Sequence, residues 1–201
     1  DPFSYTRRQT DRAEIDGVGF GGEETIRVVV SQASWDQLAG RIKPGADVRP
    51  EGIYERIAPV EIDPLEDFPK PEAGRLVTVA DSCKANPIAA FRILAAKLHR
   101  LGARNPILLK DDFAAAPPDA DPRRALVASA TVLGSLCCDG IGDAIHIRRE
   151  PGAGAALRLA FNILQAAGSR SFKSDYVAFP SCVRTLFDLQ IVTARIKART
   201  S

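Results

Sequence analysis

The chain has 201 residues, 45% hydrophobic and 26% charged, which is enough to bury one core as a single domain or as a domain with an appendage. Its 27 basic and 25 acidic residues leave a formal net charge of +2, and no Lys/Arg block is interleaved with aromatics, so a general pull toward nucleic acid is excluded. No apolar run approaches bilayer length, and the opening Asp-Pro-Phe-Ser lacks the basic then apolar pattern of a signal peptide, so no membrane and a cytoplasmic location are expected.

Residues 1–24 are polar and glycine-rich. Gly17-Val18-Gly19-Phe20-Gly21-Gly22 follows polar residues and opens a strand, whereas a dinucleotide loop follows a strand and opens a helix, so a flexible linker is expected. Thr25 to Ser31 is a β-branched run that reads as a buried strand, with a short helix over Trp35 to Ile42. Six prolines between residues 43 and 73 predict extended loop with short pieces such as Ile53 to Ile57. Arg75 to Ala80 is a second strand. Asn86 and Pro87 supply a cap and a first turn for a helix to Leu101, with Phe91, Leu94, Leu98 and Leu101 on one face and Gly102 ending it.

Asn105 to Lys110 is a third strand, and Asp121-Pro122 repeats the cap-plus-proline start for a helix to about Cys138. Ala144 to Arg148 is a fourth strand, Ala155 to Ala167 a fourth helix, and Tyr176 to Phe179 a fifth strand. Pro180 stops that strand, and Ser181 caps a last helix with Leu186, Leu189, Val192 and Ile196 at helical spacing. The fold class is therefore α/β: alternating βα units with a parallel sheet covered by helices, either an open sheet or a partial TIM-like barrel. Leu94, Leu98, Leu126, Leu133, Phe161 and Leu164 are the expected core.

Ligands in such sheets bind beyond the carboxyl ends of the strands. The polar residues there are Ser31 and Gln32, Asp81 to Lys84, Lys110 to Asp112, and Arg148 to Glu150. Lys84, Lys110 and Arg148 offer a phosphate pocket, and Asp111 and Asp112 offer oxygens for a divalent metal. The blander reading is an ordinary set of polar loop ends. His99 reads as a surface histidine, His146 as a satisfied or exposed strand histidine, and Asp143 as a turn-stabilising carboxylate. Of the four cysteines, adjacent Cys137 and Cys138 point about 100° apart on a helix, which favours a buried core thiol for at least one. Cys182 sits at a strand-to-helix junction, where helix N–H groups favour thiolate.

Phe179-Pro180-Ser181-Cys182-Val183-Arg184-Thr185-Leu186-Phe187-Asp188 resembles the Cys-Pro-Ser/Thr-Cys-x-Arg-x-x-Phe-Asp segment in the iron-sulfur domain of hydroxymethylbutenyl diphosphate synthases. Gly140-Ile141-Gly142-Asp143 resembles that family's Gly-(Ile/Leu)-Gly-Asp turn, and Ala156 to Gly168 the helix after it. Tyr5-Thr6-Arg7-Arg8 and Arg75 to Val79 are similar to the extra middle domain of the long, three-domain members.

The resemblance implies a parent reductase that opens a cyclic diphosphate in the non-mevalonate isoprenoid pathway. Its [4Fe-4S] cluster has three cysteine ligands and one glutamate, with electrons from a ferredoxin or flavodoxin-type donor and a homodimeric assembly. Of that ligand set only Cys182 lands on this chain. The partner cysteine position is Phe179, which has no metal-binding atom. The chain is thus expected to be an inactive, cluster-free piece: a linker at 1–24, a middle domain at 25–173 acting as a spacer, and the start of the iron-sulfur domain at 174–201. The rival reading is a stand-alone scaffold that docks a redox partner or binds a phosphate ligand. Tyr5, Arg7 and Arg8 then either dock on a partner domain or belong to a solvated tail.

Overall fold

The computed structural model of the chain describes residues 6–43, 45–115, 117, 121–174, 176 and 188–200. It divides into two compact units, Asp1–Arg170 and Ser171–Ser201.

In the first unit, β1 (Ala13–Ile15) and β2 (Val18–Phe20) pair antiparallel across Asp16-Gly17. Both turn residues have positive φ, 51° and 74°, as a two-residue hairpin turn that follows strand twist requires. This corrects the linker expectation for residues 1–24. Phe20 is fully buried and Ala13 nearly so, because the hairpin lays its apolar side on the end of the main sheet.

The main sheet is built from β3 (Arg27–Val30), β4 (Gly52–Ile53), β5 (Val60–Ile62), β6 (Val77–Val79), β7 (Leu108–Lys110) and β8 (Ala144–His146). Four strands run in the order β4-β3-β8-β7, and β5 pairs with β6, all parallel. A parallel bridge between Val77 and Ile107 joins the two groups, giving β4-β3-β8-β7-β6-β5. The α/β class with a parallel sheet is as expected, but six strands form it where five were read along the whole chain. The two missed, β4 and β5, lie in the proline-rich stretch that reads as extended loop. They are two and three residues long, too short for periodicity to register.

Those short strands also determine the curvature. β4 and β5 are opposite edges of the sheet, yet only residues 54–59 connect them, and these include the single turn α2 (Tyr54–Ile57). Such a connection reaches at most about 16 Å. A flat six-stranded sheet is about 24 Å wide. The sheet must therefore curl, and the Tyr54 hydroxyl donates across to Glu61 on β5 at 2.7 Å.

The inner side of the curl is closed by Phe20, Val29, Ile57, Leu76, Leu108 and Ala144. By strand alternation the outer side carries Val28, Val30, Val77, Val79, Leu109 and Ile145, all buried under helices. The helices are α1 (Gln32–Leu38), α3 (Pro87–Arg100), α4 (Pro122–Cys138) and α5 (Ala153–Ala166). Ser31, Asn86 and Asp121 cap α1, α3 and α4 through their side chains, each satisfying a first-turn N–H. α1 starts earlier than the expected Trp35 because Ser31 takes the capping role.

Leu94, Leu98, Leu133, Phe161 and Leu164 are fully buried, as expected for the core. Leu126 is a correction: it is 52% exposed, because α4 turns Ala125, Ser129, Val132, Leu133 and Leu136 inward and places Leu126 outside that stripe.

In the second unit, α6 (Leu189–Thr200) has no buried residue, and Asp188 Oδ1 accepts from Gln190 N and Ile191 N. Except for Tyr176, the strand expected at 176–179 and the Ser181 cap lie outside the described residues.

Candidate functional site

The carboxyl ends of the parallel strands form a polar mouth. Lys110, at the end of β7, has no exposed surface, and its Nζ lies 2.5 Å from Asp81 Oδ1 and 3.7 Å from Glu61 Oε1. Arg148 reaches the same Asp81 oxygen at 2.6 Å. Burial opposes ionisation of Asp81, but the bonds and charges of Lys110 and Arg148 win and hold its carboxyl below the usual range. Tyr54 is pushed up by burial and by Glu61, so its hydroxyl stays protonated and donates.

The expected phosphate pocket is thus only partly assembled. Lys110 and Arg148 do meet, but on a carboxylate that neutralises them, and exposed Lys84 is not one of its partners. The expected metal pair fails on donor chemistry. Asp111 is fully buried, and its carboxylate accepts from Ser129 Oγ at 2.5 Å, Arg148 N at 2.7 Å and Arg149 N at 3.2 Å. Asp112 caps Phe113 N and pairs with Arg149. These oxygens pin the loop after β8 to the loop after β7, and among the described residues no group of three His, Cys, Asp or Glu could hold a metal ion.

His146 ends β8 with its Nδ1 3.0 Å from Val29 O and its ring stacked on Tyr54 at 5.3 Å. Burial lowers its pKa despite the bond to Val29. His99 is exposed.

The opposite end of the sheet holds the motif residues. Asp143, buried just before β8, accepts from Ile107 N at 2.9 Å, Thr10 Oγ at 2.9 Å and Arg7 at 3.2 Å. Gly140 has φ 74°, and a Cβ there would stand 2.5 Å from Thr6 O; Gly142 has φ 114°, with Leu109 Cδ1 at 2.5 Å from its Cβ position. The Gly-Ile-Gly-Asp turn is therefore a clasp for the incoming chain, with both glycines required by close approach. Arg8 completes it, donating to Ala103 O and Asn105 O while its amide bonds Gly140 O. Arg7 and Arg8 dock on their own domain, and Tyr5 lies outside the described residues.

A second clasp was not legible in the sequence. Arg170, last residue of the first unit, forms a two-pronged pair with Glu51 at 2.6 and 3.0 Å and donates to Ile26 O. Only its place at the end of the helical pattern hinted at a role.

Of the described cysteines, Cys83 and Cys137 are buried and Cys138 is exposed. Burial pushes the Cys137 thiol up to about 12, the reverse of what a thiolate ligand needs. Cys182 and Phe179 lie outside the described residues. The described residues therefore do not fit an iron-sulfur cluster.

No protein-family model matches the chain. A 4-hydroxy-3-methylbut-2-en-1-yl diphosphate synthase (flavodoxin) from Akkermansia muciniphila is 38% identical over 205 residues, covering all of this chain and 34% of the relative. The chain belongs to this synthase family by sequence. A flavodoxin-type synthase from Porphyromonas gingivalis is 31% identical, again across the whole chain and 36% of its own length. A ferredoxin-type synthase from Microcystis aeruginosa is 29% identical over 96% of the chain. The chain spans about a third of the length of the first two relatives.

Proposed function

We propose that the chain is the central part of a long, three-domain 4-hydroxy-3-methylbut-2-en-1-yl diphosphate synthase. The parent is a cytoplasmic, homodimeric [4Fe-4S] reductase that converts methylerythritol cyclodiphosphate to hydroxymethylbutenyl diphosphate, with electrons from a flavodoxin or ferredoxin. The domain is a TIM-like spacer that includes the entering hairpin and ends near Arg170, and 174–201 begins the iron-sulfur domain, where Cys182 is a cluster ligand and Phe179 occupies the partner position. The match to synthases over the whole chain is the observation that carries this reading.

The spacer role is supported by the two clasps. Asp143 fixes the entering segment and Glu51 fixes Arg170 where the domain ends, both at the amino end of the sheet. A rigid entry and exit is what a spacer needs to set two flanking domains against each other. The mouth supports a non-catalytic domain, since Lys110 and Arg148 are paired with Asp81 and Arg149 with Asp112.

The test uses the full-length protein. Joint substitution Lys110→Met and Asp81→Asn removes the mouth's ion pair, and reductive turnover of the cyclic diphosphate is expected to stay within severalfold of the parent. A loss of about 10²–10⁴, the size of a missing acid-base group, would refute the spacer role. Absence of turnover by the unsubstituted full-length protein would refute the family-based activity itself.

A further inference from the structure

Beside the Asp81 ion pair, the mouth contains a cavity of about 480 Å³, lined among others by Ser34, Tyr54, Glu55, His146, Arg148 and Glu150. His146 is the informative member. It is only 9% exposed, and its Nδ1 faces a backbone carbonyl, Val29 O, which can only accept. Nδ1 therefore carries the hydrogen, and Nε2 presents a lone pair. Among the described residues Nε2 has no hydrogen-bond partner. Nor is it sealed in the interior, because no buried side-chain nitrogen or oxygen among them lacks a partner. His146 also borders a void of about 10 Å³ beneath α5, but its ring stacks on Tyr54, which lines only the larger cavity, and we take Nε2 to open there.

The charged groups of the cavity lining sum to an excess of carboxylates. Asp81 is matched by Lys110 and Arg148, and Arg148 is the cation that acts on His146 most strongly, so the carboxylates left over in the lining are those of Glu55 and Glu150. Glu55 and Glu150 each use one oxygen on a backbone N–H, of Gln32 at 2.7 Å and of Gly152 at 3.0 Å. An anion entering here meets carboxylates and an acceptor nitrogen, while among the described residues a metal ion lacks a three-ligand group. A donor cation matches both the charge and the lone pair.

We propose that the cavity binds a small organic cation whose ammonium or guanidinium N–H donates to His146 Nε2, its charge lying against Glu55 and Glu150. The site is independent of the parent reductase chemistry and makes the spacer a ligand-responsive domain.

The experiment titrates this chain with agmatine, which carries both donor types, and follows the imidazole ¹⁵N signals and binding heat. Choline, a cation without an N–H donor, and inorganic phosphate are run in parallel. The expected result is a saturable upfield shift of His146 Nε2 with agmatine alone. His146→Phe and Glu150→Gln are each expected to weaken binding about tenfold or more. Glu150 is only partly buried, so its variant serves even if His146→Phe does not fold. An unmoved Nε2 signal at millimolar agmatine overturns the proposal. So does an equal response to choline, a response to phosphate instead, or unchanged affinity in Glu150→Gln.

Discussion

Replacing Asp143 by Ala should detach the entering segment and destabilise the first unit by about 2–4 kcal/mol, and the structure says where that comes from. The buried Ile107 N–H loses its acceptor, which costs about 1–3 kcal/mol. Thr10 Oγ loses its acceptor while still receiving Gly22 N–H, a further loss of about 1 kcal/mol. The Arg7 pair adds little, because Arg7 is one-third exposed and water replaces the carboxylate. Burial pushes the Asp143 carboxyl up, so removing it also relieves some desolvation, which keeps the sum below that of an ideal buried pair. Urea unfolding followed by the fluorescence of the single tryptophan, Trp35, measures the change. Hydrogen exchange at the Arg8 amide, which bonds Gly140 O, reports release of the segment separately. Asp143→Asn keeps a carbonyl oxygen for Ile107 N–H and should lose about half as much. A shift for Asp143→Ala within the roughly 0.5 kcal/mol typical of surface sites would refute the clasp.

Leu98→Ala should cost about 2–5 kcal/mol, whereas Leu126→Ala should be nearly silent; equal midpoints in urea would place the α3 and α4 faces wrongly. Gly142→Ala forces a Cβ against Leu109 at φ 114° and should cost about 2 kcal/mol or more, read from the same midpoint. A thiol reagent should modify Cys138 in the native protein well before Cys137 or Cys83, with mass spectrometry of the labelled peptides as the check. His146 is neutral and buried in the folded state, with its pKa below the unfolded 6.5, so the unfolded chain binds the extra proton. Its contribution is fully present above pH 6.5 and is lost as pH falls through the lowered folded value; His146→Gln should remove that part of the stability-pH slope.

Helices and their starts were legible because their signals are local. Asn86-Pro87 and Asp121-Pro122 lie beside the turns they cap, and Leu94, Leu98, Phe161 and Leu164 repeat at helical spacing. The alternation of strands and helices likewise required a parallel sheet. Curvature was not legible, because it depends on β4 and β5, whose two and three residues carry no period. The hairpin was hidden for another reason: Gly17 to Gly22 has loop composition, and only Phe20 among its glycines announces that one side is buried.

The site was harder because its signals are pairings across long stretches of chain. Lys110, Asp81 and Arg148 could be assigned to the same end of the sheet from strand order alone, yet whether two cations converge on a phosphate or on a carboxylate depends on side-chain reach. Asp143 meets Thr10 from 133 positions away and Glu51 meets Arg170 from 119, distances over which no periodicity speaks. The family-like Gly-Ile-Gly-Asp turn invites a catalytic reading, but its glycines admit Thr6 and Leu109, and its carboxylate is spent on Ile107, Thr10 and Arg7. In this domain the turn is a joint. The cavity at the other end keeps one unpaired imidazole nitrogen beside Glu55 and Glu150, so the ligand chemistry proposed for the first unit lies away from the end that Asp143 and Glu51 hold shut.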